Sequence, residues 1–139
     1  MKKLLIGIAV TGTCLLGTAA SNAHHSFAAQ FDREQTVTFT GTVTAVEWTN
    51  PHARFYVEGT DPDMEGSAAV NWNIELVSAN VLMRQGWRHD TLSVGDVVTV
   101  SATRARKDPH VVNGSRVVRG ESMEDGDPLF QRQADQENQ

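Results

Sequence analysis

A single short helical segment interrupts the alternation of apolar and polar residues along this chain, and that interruption restricts the possible folds more than any other feature. Apolar and polar side chains first alternate in three segments, which are residues 36–48, 52–58 and 70–76. A short helix is then predicted, with Ser78 as its N-cap and Gly86 as the residue that ends it. Alternation returns in two further segments, residues 97–105 and 111–119. Because a period of two indicates strands, we predict three strands, one helix and two more strands.

This order of elements predicts an all-β fold with one short helix. The expected form is a small five-stranded OB-fold-like barrel over residues 36–120, in which the helix lies between the third and fourth strands. An SH3-like barrel or a small sandwich is the alternative. Trp48, Trp72 and Trp87 are predicted to pack in the core and at the barrel ends, because large aromatic side chains dominate small cores.

Two positions interrupt the strand pattern. In the first strand, Val43 and Val46 have opposite parity, so their side chains cannot share a face of a regular strand. We therefore predict a bulge or bend between Gly41 and Ala45, where an extra unpaired residue would switch the faces. Asn113-Gly114 is a candidate turn, and it leaves the last segment open between one strand and two.

The first 23 residues have the pattern of an export signal. Lys2 and Lys3 supply the positive start, an apolar run follows, and Ser21-Asn22-Ala23 supplies the small residues expected before a signal peptidase site. We therefore predict cleavage between Ala23 and His24, with a periplasmic or secreted product. The apolar run is too short for a comfortable membrane span, so no stable membrane anchor is expected after cleavage.

Removal of the signal leaves 116 residues, a length that suits one small domain. Ten basic residues then stand against seventeen acidic ones, a net charge of −7. Nucleic-acid binding needs a basic surface, so no nucleic-acid partner is expected. Residues 24–35 are predicted to form an N-terminal arm, and residues 121–139 an acidic, Gln-rich mobile tail. The single cysteine, Cys14, lies in the signal, so any metal must be held by histidine, carboxylate or amine.

Alternation also predicts which polar residues share the outer face of the second and third strands. If Ala53, Phe55 and Val57 point inward, the residues between them point outward. The predicted ligand-binding set is His52, Arg54, Tyr56, Asn71, Asn73 and Glu75. The outer surface of these strands is the usual ligand platform of an OB-fold, and we expect a periplasmic protein or a small ligand there. The alternative is an ordinary solvated face, because half of any surface strand is polar.

The predicted cleavage places a free amine on His24, and His25 follows it directly. An N-terminal histidine can chelate one metal ion through its amine and a ring nitrogen, and a second ring completes a three-nitrogen set that suits Cu(II). His25 can supply that second ring. If the arm folds back to the second strand, His52 can supply it instead, and His110 is a further option. The alternative to a binding module is therefore a copper-handling protein. The alternative is that the two histidines form a solvated arm, with Phe27 and Phe31 packed against the barrel, and copper is then not a cofactor that this arm supplies.

The chain carries no recognisable catalytic motif. No serine lies in a Gly-x-Ser-x-Gly elbow, and no acid–base pair is fixed by its spacing. We therefore predict a non-enzymatic binding or accessory module. Asp61, Asp63 and Glu65 resemble the start of a calcium loop, but the later Gly and Glu of an EF-hand are missing, so a solvated loop is predicted.

Four stretches of the chain resemble a bacterial family of exported proteins, domain of unknown function 6152. They are HHSFAAQFD, GTVTAVEWTNPHARFYV, VNWNIELVSANVLMRQGW and LSVGDVVTVSATRAR. Together they extend over nearly all of residues 24–119, and the Trp-Thr-Asn-Pro-His segment is their most specific part. The resemblance implies an export signal and a compact β domain. It implies no activity and assigns no catalytic residue.

Overall fold

The computed structural model of the protein describes residues 27–133. A helical turn over residues 27–30 precedes the first strand. The remaining elements are β1 (Phe31–Glu47), β2 (Arg54–Gly59), β3 (Val70–Glu75), α1 (Ala79–Arg84), β4 (Val97–Ala105), β5 (Val111–Arg119) and β6 (Asp127–Gln131). The predicted signal peptide, with His24 and His25 after it, lies outside the described residues.

The strands form one sheet that closes on itself. Its order is β3-β2-β1-β4-β5-β6, and the additional pairing of β3 with β5 completes the ring. This closing pairing is parallel and joins Asn73–Glu75 to Val111–Asn113, whereas the other pairings are antiparallel. The predicted OB-fold-like barrel is therefore present: it consists of three strands, a helix and two strands, and the β3–β5 pairing closes it. The sixth strand is an addition that the prediction did not contain.

β1 belongs to both halves of the barrel because it changes register. Its first part pairs with β4, and its last residues pair with β2 after a shift between Val43 and Ala45. This shift confirms the predicted bulge. Gly41 lies just before it, where an added Cβ would overlap the carbonyl oxygen of Glu58. Glycine therefore allows β1 to approach β2 at the bend.

The core fills the barrel with apolar side chains from every strand. Trp72 is fully buried and stacks on Phe39, with the two ring centroids 4.0 Å apart. Leu82 of α1 and the buried Trp87 belong to the same core cluster, so the helix side of the barrel is apolar. Trp48 is half-buried and packs edge-on against Trp87. The predicted packing role of the tryptophans is therefore confirmed.

The helix begins and ends as its sequence predicts. Ser78 has extended backbone angles, and its hydroxyl accepts a hydrogen bond from the Val81 amide at 3.3 Å. Gly86, with φ of 96°, follows the last turn in the left-handed conformation that glycine adopts without strain. Asn113-Gly114 does not form a turn, because both residues lie within the continuous strand β5.

Both ends of the predicted barrel extend further than expected. β1 starts at Phe31 rather than Thr36, and Phe31 is buried where it pairs with Ala105. The tail expected from residue 121 contains β6, which pairs with β5 along Arg116–Arg119. The acidic composition of the tail concealed Phe130, a buried aromatic residue whose ring packs edge-on against Trp87. Within residues 27–133, neither helix has the length and hydropathy to cross a bilayer.

Candidate functional site

The predicted ligand-binding residues lie on one outer face, and the register of β2 and β3 explains why. Arg54 is paired with Glu75, Tyr56 with Asn73, and Glu58 with Asn71. Directly opposed residues on one face of an antiparallel pair have their Cβ atoms about 4.5–5.5 Å apart, so their side chains can touch. We call these six residues, together with Glu47 of β1 opposite Arg54 and His52 just before β2, the polar face.

Arg54 is the most firmly held side chain of the polar face. One guanidinium nitrogen contacts the Glu75 carboxylate, and the other donates to the Asn73 amide oxygen at 3.4 Å. His52 approaches the same carboxylate, with Nδ1 3.8 Å from a carboxylate oxygen of Glu75 and 3.2 Å from the carbonyl oxygen of Leu76. The side chain of Arg54 is 31% exposed, so it is oriented by its partners and still meets solvent.

Tyr56 and Asn71 are also oriented by neighbours from β1. The Tyr56 hydroxyl lies within the influence of the Glu47 carboxylate, and the Asn71 amide oxygen accepts from the Thr44 hydroxyl at 3.1 Å. Burial, followed by the charge of Glu47 and its hydrogen bond, raises the pKa of Tyr56 above its ordinary value. The hydroxyl therefore remains a protonated donor throughout the neutral range.

Glu75 differs from its predicted role because it is not accessible. Its side chain is only 5% exposed, although its parity places it on the outer side of β3. The reason is barrel closure, which sets β5 against the second edge of β3 and places the buried Asn113 beside Glu75. Glu75 thus orients Arg54 rather than meeting a ligand itself.

The prediction missed a second polar cluster, at the end of the barrel where β4 and the β2–β3 connection meet. Arg104 donates to both carboxylate oxygens of Asp61, at 2.8 and 3.1 Å, and to the exposed carboxylate of Asp63 at 2.6 Å. The same guanidinium also donates to the Pro109 carbonyl oxygen at 3.0 Å. The side chains of Arg104 and Asp61 are 6% and 2% exposed, so this is a buried ion pair.

The neighbours of Asp61 satisfy both oxygens of its carboxylate. Asp61 also accepts from the Asp63 amide at 3.0 Å, and the His110 ring nitrogen Nε2 lies 3.2 Å from it. Hydrogen bonds from Arg104 lower the pKa of Asp61 more than its burial raises it. Trp72 lies against both side chains, with the Arg104 guanidinium over its ring and the His110 ring in an edge contact at 5.0 Å between centroids. Each oxygen of Asp61 has two hydrogen-bonding neighbours, so this carboxylate joins the β2–β3 and β4–β5 connections to β4 and has no position left for a ligand.

One sequence signal could have revealed this cluster. Arg104 continues the inward parity of Val98, Val100 and Ala102 in β4, and all four are buried. A charged residue at an inward position requires a buried counter-charge. Asp61 could not be identified as that partner, because it lies 43 residues away in a segment that resembles a solvated loop.

The structure describes only part of the proposed metal set. His24 and His25 are outside it, and His52 lies in the β1–β2 connection with its side chain 47% exposed. Between residues 27 and 133, no three histidine, aspartate or glutamate side chains come together in a way that could hold a metal ion. Copper binding by His24 with His25 or His52 therefore stays a prediction.

Comparison with known proteins gives a family and a distant likeness. The model of a family described as "Family of unknown function (DUF6152)" matches residues 13–113. Among curated proteins there is no match. Two crystal structures of Rim1, a mitochondrial single-stranded DNA-binding protein from S. cerevisiae, one of them of selenomethionine-labelled protein, are similar at 11% identity with TM-scores of 0.47 and 0.44. They cover 66% of this chain and 96% and 97% of their own. A likeness of this size implies nothing about what this chain binds.

Proposed function

This chain belongs to DUF6152, a family of unknown function, and from that premise we propose that it is an exported, non-enzymatic binding module. Its partner docks on the polar face, and we assign that partner as a protein with a basic surface. Export is supported by the signal pattern of residues 1–23. The binding role is supported by one observation above the others: the carboxylates of Glu47 and Glu58 are exposed on the outer face that Arg54 and its partners hold in a fixed arrangement.

The charges of the polar face support a basic partner. Arg54 is neutralised by the buried Glu75, which leaves Glu47 and Glu58 as exposed carboxylates on the same surface. Within residues 27–133, Glu58 has no ion pair. A negatively charged surface attracts lysine and arginine side chains and repels nucleic-acid phosphates. The net charge of −7 that remains after removal of residues 1–23 acts in the same direction.

Binding of a short cationic peptide tests this proposal. Titration of heptalysine, followed by the amide NMR spectrum, is expected to shift residues of β2 and β3, whereas heptaglutamate should leave them unchanged. The double variant Glu47→Gln, Glu58→Gln should weaken the interaction about three- to tenfold at low salt, since each exposed carboxylate contributes up to about 1 kcal/mol.

The matched control is the double variant Glu65→Gln, Glu124→Gln, which removes two exposed carboxylates that lie outside β1, β2 and β3. It should keep most of the affinity. Equal losses in the two double variants would mean that the peptide responds only to net charge, and the docking role of the polar face would then be abandoned.

The second candidate is copper handling by His24 with His25 or His52, and one observation favours it. The Leu76 carbonyl oxygen can only accept, so Nδ1 of His52 donates in this contact, and Nε2 forms no hydrogen bond within residues 27–133. A ligand histidine commonly has its other nitrogen fixed in this way. The arm would have to reach the β1–β2 connection for His24 to share a metal ion with this nitrogen.

A Cu(II) titration distinguishes this candidate from the first. Protein whose N-terminus is shown to be His24 by mass spectrometry should bind one equivalent of Cu(II). One extra residue before His24, or His52→Ala, should weaken binding about tenfold or more through loss of a ligand. His89→Ala is the control, because His89 is an exposed ring that packs on Trp48. Affinity that does not respond to the extension would eliminate the copper role.

A further inference from the structure

A cavity beside the N-terminal end of β1 has the chemistry of a ligand site that is separate from the polar face. Its volume is about 440 Å³, within the range of roughly 300–1,000 Å³ typical of small-molecule pockets. The lining residues are Ala29, Gln30, Ala105, Lys107, Asp108 and Val111. We propose that this cavity binds a small monocarboxylate with a short apolar chain.

Hydrogen bonds hold the two walls of the cavity in place. Arg106 donates through its backbone to the Gln30 carbonyl oxygen at 2.9 Å and through Nε to the Ala28 carbonyl oxygen at 3.0 Å. Its guanidinium also pairs with Asp32 at 3.1 Å. The β4–β5 connection is closed by the Val111 amide, which donates to the Asp108 carbonyl oxygen at 3.1 Å. A cavity with fixed walls binds a ligand at a lower entropic cost than one that must first be ordered.

Two donor side chains of the lining have no partner in the part of the chain that the structure describes. Lys107 forms neither an ion pair nor a hydrogen bond there, and the same holds for the side-chain amide of Gln30. The neighbouring cations differ, because Arg104 pairs with Asp61 and Arg106 with Asp32. An unpaired ammonium group and an amide N–H that line the same cavity are suited to a carboxylate.

The rest of the lining selects the size and charge of the ligand. Ala29, Ala105 and Val111 supply apolar surface for a hydrocarbon chain. Asp108 contributes a carboxylate, of which one oxygen accepts from the His110 amide at 3.0 Å. A ligand with a second negative charge would meet this carboxylate, so a monoanion is favoured over a phosphate or a dicarboxylate.

A series of linear carboxylates tests the proposal on the purified protein. In amide NMR titrations, acetate, butyrate and hexanoate should shift Gln30, Lys107 and Val111, with affinity rising up to roughly fourfold for each buried methylene. Hexylamine, which has the same chain and the opposite charge, should bind more weakly than hexanoate. Lys107→Gln should weaken hexanoate binding about three- to tenfold, while Lys107→Arg should retain it.

Two further variants complete the test. Arg84→Gln removes an exposed cation at the end of α1 and should leave hexanoate binding unchanged. Ala105→Leu should fill the cavity and abolish binding, with a thermal melt to show that the barrel is still folded. The proposal is overturned by equal effects of Lys107→Gln and Arg84→Gln, by tighter binding of hexylamine, or by shifts located elsewhere. None of these results bears on heptalysine binding to the polar face.

Discussion

Arg104→Met is expected to lower the free energy of unfolding by about 3–5 kcal/mol, the cost of breaking a buried ion pair by removing one partner. The substitution removes both hydrogen bonds from the guanidinium to Asp61 and leaves a carboxylate that is 2% exposed. It also removes the cation that lies over Trp72. Urea unfolding followed by tryptophan fluorescence gives the change directly.

Arg106→Met is the matched control for this prediction. Arg106 also pairs with an aspartate, Asp32, but their side chains are 49% and 21% exposed. Solvent screens such a pair, and the expected loss is no more than about 1 kcal/mol. The double variant Arg104→Met, Asp61→Leu should recover part of the stability, because no unpaired charge then remains buried. If Arg104→Met and Arg106→Met lowered the free energy of unfolding by similar amounts, the Asp61–Arg104 pair would not be buried in solution.

The same pair predicts how stability depends on pH. Arg104 lowers the pKa of Asp61 in the folded state, so the unfolded chain binds a proton at this group more readily. The stabilisation from ionised Asp61 is therefore complete above the pKa of about 3.9 that this group has in the unfolded chain. It is lost as the pH falls through the lower pKa that Asp61 has in the folded protein. In Arg104→Met, this contribution to acid unfolding should be absent, which a comparison of urea midpoints at pH 3 and pH 6 would detect.

Phe130→Ala is expected to lower the free energy of unfolding by about 3–5 kcal/mol, as for other buried phenylalanines. The ring is 3% exposed and packs edge-on against Trp87, so its removal leaves a cavity in the core. Truncation after Gly120 should cost at least as much. It also removes the Leu129 carbonyl oxygen, which accepts from the Trp87 indole nitrogen at 2.7 Å, and an unsatisfied donor costs about 1–3 kcal/mol more.

Gln131→Ala serves as the control, because Gln131 is the exposed neighbour of Phe130 on the same strand. The substitution is expected to change the free energy of unfolding by no more than about 0.5 kcal/mol, as for other surface substitutions. Unfolding midpoints in urea, measured side by side, compare the three changes. A truncated protein as stable as the intact chain would mean that residues after Gly120 form the mobile tail that composition predicts.

The polar face shows how far reasoning from sequence extends toward a site. Parity placed Arg54, Tyr56 and Asn73 on one outer surface, and the structure places them there. Parity alone could not show that Glu75 is inaccessible, because its burial depends on β5, which is distant in sequence. The ligand-binding role of these residues remains a prediction that the peptide titration tests.

The order of the elements, the bulge in β1 and the capping of α1 could all be determined from the sequence by itself. Each depends on neighbours within a few residues, whose preferences for strand, turn or helix are local. The pairing of Asp61 with Arg104, the sixth strand and the cavity beside Lys107 were decided only by the tertiary structure. These features join residues that are far apart along the chain, and local preferences do not determine which distant segments meet when the barrel closes.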